Sequence, residues 1–247
     1  MQHVLRTFWQ KIFAFNWKFG LLLIVIVCVP RFILVLYANT TGNYGSIGII
    51  MLVSALAPFI FLNKYGRQKI GIKKPGNYSW LLAAFAAGIA FSLLLYFLGT
   101  NLYDDSYANW YKYIGKSYKI PSDISPGDRS TLFTVVAITG MIFSPFGEEL
   151  FFRGIVHSAF AVSLGNRKAS MADGSAFALT HISHFGLVFI SGSWSLFVMP
   201  TVLWVLSMFV ASIMFFFFKK SSGSIMGAIV CHAGFNLGMT YSIFYLL

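Results

Sequence analysis

The chain has 247 residues, of which 57% are hydrophobic and only 10% charged, with a formal net charge of +11. Soluble domains of this size carry roughly 45–50% apolar and about 25% charged residues, and seven carboxylates cannot cover such a surface. The composition excludes soluble globular, disordered, collagen-like and disulfide-scaffold classes and reads as a polytopic membrane protein.

Residues 1–18 place Arg6, Lys11 and Lys18 among Val4, Leu5, Phe8, Trp9, Ile12 and Phe13. That spacing predicts a short interfacial amphipathic helix. Behind it, the apolar run 20–37 contains Pro30 and Arg31 and lacks a small-residue cleavage site, so it reads as a retained first span rather than a signal peptide. Further apolar runs follow at 46–62, 80–102, 131–164, 174–191, 196–218 and 223–247, each near the ~20 residues that cross a bilayer. The run 131–164 is too long for one ordinary span and holds Pro145-Phe146-Gly147.

Loop charges orient the bundle. The loop 63–79 carries Lys64, Arg67, Lys69, Lys73 and Lys74 without an acid, whereas 103–130 carries Asp104, Asp105, Asp123 and Asp128. The first therefore reads as cytoplasmic, together with the N-terminus, and the second as external. If 131–164 crosses once, Arg167/Lys168 and Lys219/Lys220 also fall inside, and the Ser191–Ser195 turn falls outside. The expected fold is a single all-α domain, a polytopic transmembrane bundle of seven to eight spans, with seven fitting the charges better. Basic clusters between apolar runs suit an anionic leaflet and lack the pattern of a nucleic-acid binder, so the expected partners are the lipid bilayer and a membrane-associated peptide or protein, with no nucleic acid. Cys28 and Cys231 both lie inside apolar runs, which argues against a disulfide between them.

Ionisable groups at membrane depth are costly and are functional candidates by default: Arg31, Glu148, Glu149, Arg153, His157, His181, His184 and His232, with Asn236 beside them. Glu149 and Arg153 are four apart on a helix and can pair. Glu148 points about 100° away with no such partner nearby, which makes it a candidate general base or acid. The alternative is that both carboxylates only hold helices together through Arg153 and Arg31. His181 and His184 share a helix face, and spacing does not choose between them. His232 and Asn236 share a face of the last helix, where Gly223, Gly227, Gly234 and Gly238 form two small-xxx-small pairs. An imidazole and an amide there could donate to a developing oxyanion. Counted from the basic ends, His181 and His232 lie about seven to nine residues in, or about 10–13 Å, so these groups meet in the cytoplasmic half of the bundle.

Glu148-Glu149 with Arg153 (EExxxR), Phe177 with His181 (FxxxH) and His232 with Asn236 (HxxxN) stand in the order and spacing that mark the CPBP, or Abi, intramembrane proteases. The chain resembles that family over about residues 131–240; its members include type II CAAX prenyl proteases and bacteriocin self-immunity proteins. The resemblance implies a glutamate-dependent endopeptidase in the bilayer, in which Glu148 and His181 activate water. It implies that His232 and Asn236 stabilise the oxyanion, that Glu149 and Arg153 support the site, and that no cofactor is needed. Relatives are usually described with about eight spans, so the charge count departs from the family there. The implied setting is a bacterial inner membrane and the implied role bacteriocin immunity, peptide processing or CAAX-like cleavage. Three rival readings are a zinc protease using His181, His184 or His232, although no HExxH is present, a non-catalytic binding or immunity protein, and a proton-coupled transporter.

Overall fold

The computed structural model describes residues 3–247 and is a bundle of helices with one small hairpin. In chain order, α1 is Thr7–Gln10, α2 Trp17–Thr41, α3 Gly45–Phe61, α4 Lys64–Lys69, α5 Ser79–Tyr103 and α6 Trp110–Gly115. A 3-10 turn follows at Lys116–Tyr118, then α7 at Pro126–Glu148, which runs through a π-helical stretch, Glu149–Val156, into α8, His157–Thr180. A second 3-10 turn, His181–Ser183, leads to β1, Leu187–Ile190, and β2, Ser193–Leu196; α9, Val198–Ser222, and α10, Ile225–Tyr245, complete the bundle.

Among the described residues, four helical stretches are long and apolar enough to cross a membrane: Trp17–Thr41, Ser79–Tyr103, Pro126–Ser183 and Val198–Ser222. Their outward side chains, such as Val25, Ile26, Val29 and Ile33 on α2, are large and apolar, as lipid requires and water does not. The seven or eight expected spans exceed this number for physical reasons. Helix α3 has only 17 residues, α10 spends its length on polar groups and glycines, and the 58 residues of Pro126–Ser183 form one helical stretch. That stretch bends at Gly165, whose φ of 75° and ψ of 162° leave the helical region.

Two expectations are corrected. The helix expected over residues 1–18 shrinks to the single turn α1, because the backbone before it is recruited elsewhere. Leu5 is buried in an antiparallel bridge with Leu62, Arg6 N–H donates to the Phe61 carbonyl, and Asn63 N–H donates to that of Val4. Met1 and Gln2 of that expected helix lie outside the described residues. The apolar run 174–191 is not one helix: it leaves α-helical geometry after Thr180 and all helical geometry after Ser183, and its end pairs with 193–196 around Ser191-Gly192. Both turn residues have positive φ, 49° and 80°, the backbone that a two-residue hairpin demands.

Helix α10 is the centre of the bundle and packs on α5, α7 and α9. Glycine makes these approaches possible: a side-chain carbon on Gly88 would stand 2.0 Å from the Cys231 carbonyl oxygen, and one on Gly234 2.3 Å from that of Phe85. Gly227 meets the Phe218 carbonyl of α9 in the same way, but Gly223, paired with it in the sequence pattern, instead closes α9 in the left-handed conformation at φ 69°.

The bundle has two unlike ends. At one, Gly76 N–H donates to Ser222 O, Ile225 N–H to Gly71 O and Trp17 N–H to Ser163 Oγ, which gathers the 62–78 loop, the α9–α10 turn, the start of α2 and the residues before Gly165. At the other, the α6 segment meets the hairpin through Lys116 Nζ to Phe189 O at 3.1 Å and Phe189 N–H to Tyr113 Oη at 2.8 Å. We expect Gly88→Ala to cost about 1–3 kcal/mol through overpacking, while Gly48→Ala, which meets no atom within 4 Å, stays within about 0.5 kcal/mol. Thermal unfolding of the two variants in detergent measures the difference.

Candidate active site

Glu148 ends α7 and is buried. Its Oε1 accepts hydrogen bonds from Arg31 Nη2 of α2 at 2.7 Å and from Ser144 Oγ, one turn earlier, at 2.8 Å. Its Oε2 has no hydrogen-bond partner among the described residues and lies 3.8 Å from His181 Nε2. His181 heads the 3-10 turn after α8, and its Nδ1 lies 2.7 Å from the Phe177 carbonyl oxygen. A carbonyl oxygen can only accept, so Nδ1 carries a proton, and in the neutral ring Nε2 presents a lone pair toward Glu148. Two acceptors therefore face each other across a gap too wide for a direct hydrogen bond.

Arg31 also reaches His184, whose Nε2 lies 3.3 Å from Arg31 Nη2. The guanidinium thus ties α2 to the end of α7 and to the turn that carries both histidines.

Glu149 belongs to a different network. Its Oε1 accepts from His232 Nδ1 at 2.8 Å, and its Oε2 stands 3.2 Å from Arg153 Nε. Arg153 is fully buried, with its guanidinium 4.1 Å from the Phe177 ring centroid and 5.3 Å from that of Phe215, so aromatic faces share in offsetting its charge. The Phe215 ring also stacks on His232 at 4.7 Å. The π-helical stretch begins at the boundary between the two carboxylates. One of them turns to α2 and the other to α10.

Asn236 lies one turn beyond His232 and donates Nδ2–H to the Gly140 carbonyl of α7 at 2.9 Å. Phe177, whose position in the FxxxH pattern singled out His181, is buried under that histidine with ring centroids 4.3 Å apart.

Glu148, His181, His184, His232 and Asn236 all line one cavity of about 560 Å³. Its walls continue through Met208, Phe143 and Thr139 to Tyr44, Ile114, Ser117 and Tyr118. Glycines keep one side open: Gly48 of α3 and Gly140 of α7 border the cavity with no atom near enough to touch an added side-chain carbon. Deeper in, the same two helices close on each other where Gly147 meets Met51. His232 is seven residues from the start of α10, about 10 Å, in agreement with the expected depth. His181, however, ends a helical segment that begins just after Gly165, which makes it about 22 Å from that end rather than the expected 10–13 Å.

The structure therefore sorts the motif residues into two networks rather than one, Glu148 with His181 and Glu149 with Arg153 and His232, while Asn236 bonds to the α7 backbone. Glu148 does have a cation, and it comes from Arg31, 117 residues earlier. Arg31 stood out in the sequence as an arginine inside a span, but nothing in the spacing assigned it a partner. Ser144 could have been found as the hydroxyl one helical turn before Glu148. His157 stands apart, 3.1 Å from Asp173 Oδ2. Among the described residues, no three His, Cys, Asp or Glu side chains gather in a way that could hold a metal ion.

Residues 130–238 match the family model described as Type II CAAX prenyl endopeptidase Rce1-like. The matched segment contains every motif residue above, from Glu148 to Asn236, and leaves out Arg31. No curated protein and no solved structure matches the chain.

The Arg31–Glu148 pair has its own test. Arg31→Leu leaves a buried carboxylate without its cation and should cost about 3–5 kcal/mol, whereas Arg31→Leu with Glu148→Leu should recover most of that loss. A double-mutant cycle on thermal unfolding reads both.

Proposed function

We propose, from the premise that residues 130–238 belong to the Rce1-like type II CAAX prenyl endopeptidase family, a family of membrane proteases, that this protein is an intramembrane endopeptidase in which Glu148 and His181 activate a water molecule. The single observation that supports it most is the pair of facing acceptors, Glu148 Oε2 and His181 Nε2, 3.8 Å apart in a cavity wall.

A water between them donates one hydrogen to each, which aims an oxygen lone pair into the cavity. Arg31 and Ser144 hold Oε1, so the carboxylate cannot rotate away from the water. As the water oxygen bonds to the peptide carbonyl carbon, its proton passes to this Glu148–His181 pair. The carbonyl oxygen becomes an oxyanion. His232, fixed through Nδ1 by Glu149, offers Nε2–H when doubly protonated, and Asn236 offers the amide N–H not spent on Gly140. The proton held by the pair then moves to the departing nitrogen, the C–N bond breaks, and an amine leaves with a carboxylic acid that loses its remaining proton to solvent as a carboxylate. Glu149 and Arg153 hold His232 and the packing of α10 without touching the substrate.

No metal step is needed in this scheme, because Arg31 supplies positive charge beside Glu148 and His184. The orientation that fits best has seven crossings: α2, α3, α5, α7 through residue 164, the segment 166–183, α9 and α10. The basic end then lies in the cytoplasm.

Glu148→Ala or His181→Ala should abolish peptide cleavage by purified protein that still elutes as a folded monodisperse species. Asn236→Ala should lower kcat by about 10²–10³. Cleavage should persist after exhaustive chelation. Full activity of either first variant removes the assigned role, and loss on chelation restores the zinc alternative.

A further inference from the structure

We infer that the catalytic cavity opens on the extracytoplasmic face, so that its substrate is a peptide or protein segment presented at the outer surface of the membrane. The inference rests on the endopeptidase reading for the word substrate, and on geometry and charge alone for the direction of the opening.

The cavity has a floor and a mouth. Its floor is made by Glu148, Phe177, Phe215 and His232. Behind them the π-helical residues 149–156 are all buried and fill the bundle toward its first end. The mouth is made by Tyr44 in the α2–α3 turn, Ile114 of α6, Ser117 and Tyr118 of the following turn, and Thr240 in the second half of α10. Every one of these belongs to the end that holds the hairpin and the aspartates. The open side between Gly48 and Gly140 lies on the same half, beyond the Gly147–Met51 crossing.

The two ends carry very different charge. The stretches at the closed end, 6–18, 64–74, 167–168 and 219–220, hold twelve Lys and Arg and no acid. The stretch 104–129 at the mouth end holds four Lys and Arg against four Asp. Short loops with such an excess of Lys and Arg stay in the cytoplasm and fix the orientation of the whole bundle. The mouth therefore faces the other way.

Depth adds a constraint on what can enter. From His232 to the end of α10 is thirteen residues, and from Arg31 to the end of α2 ten, or about 15–20 Å of descent. An extended chain covers about 3.3 Å per residue, so some five residues must be unfolded and threaded past Tyr44, Ile114 and Tyr118. Those walls are largely apolar and aromatic. The site suits an apolar unstructured terminus or a loosened segment at the outer leaflet, and a C-terminus displayed in the cytoplasm does not reach it.

Cysteine labelling tests the direction without requiring turnover, so its failure is distinct from failure of the protease reading. Both native cysteines are buried, and the wild type supplies the blank. Ser46→Cys and Asp123→Cys stand exposed near the mouth, and Gln68→Cys and Lys74→Cys stand exposed in the basic loop; none belongs to the site. In intact cells, a membrane-impermeant maleimide should label the first two at least ten-fold above the blank and reach the second two only after permeabilisation. Labelling of Gln68→Cys and Lys74→Cys in intact cells, with Ser46→Cys and Asp123→Cys protected, overturns the inference.

Discussion

Two adjacent carboxylates in an apolar bundle set the terms for the rest of this structure. A buried charge without a partner is too costly to keep, and one cation cannot serve Glu148 and Glu149 at once because neighbours on a helix diverge. The chain answers with two arginines. Arg153 serves Glu149 from one turn away, and Arg31 serves Glu148 from another helix. Removing either cation strands a charge, whereas the pairs together leave Glu149 Oε2 against Arg153 and Glu148 Oε2 facing a histidine across a gap. The arrangement that makes the carboxylates tolerable is also the arrangement that singles out one oxygen for chemistry.

The same demand shapes the backbone. The π-helical turns fall where the paths of the two glutamates part, and such turns cluster at functional sites because they reorient side chains that a regular helix would keep in step. Helix α10 can then approach closely enough to deliver His232 and Asn236, since glycines at 88 and 234 leave room for backbone against backbone. Aromatic rings fill what remains: Phe177 and Phe215 each touch both the Arg153 guanidinium and a histidine. Packing and electrostatics are carried by the same side chains here.

Much of this was legible in the sequence, and the parts that were not share a cause. Helical runs, the Glu149–Arg153 pair and the placing of His232 and Asn236 on one face follow from local periodicity, which a sequence displays directly. Arg31 was visible as an arginine in a span, but its partner lies 117 residues away, and no spacing rule reaches that far. The helix expected over residues 1–18 failed because Leu5 found a backbone partner at Leu62, a tertiary contact that overrides an amphipathic pattern. The segment 174–191 failed differently. Its apolarity was read correctly, but Ser191-Gly192 turns it into a hairpin, and hydropathy does not distinguish a strand from a short span.

The central claim is that one water, shared by Glu148 and His181, hydrolyses a peptide bond. Membranes containing the wild-type chain or Glu148→Ala can be incubated in water enriched in oxygen-18 and the released peptides compared by mass spectrometry. The account predicts fragments released by the wild type alone, of which those ending at the new carboxyl terminus carry one solvent oxygen and those beginning at the new amino terminus carry none. Identical peptide sets from the two membranes would contradict it and leave Glu148 as a helix tie.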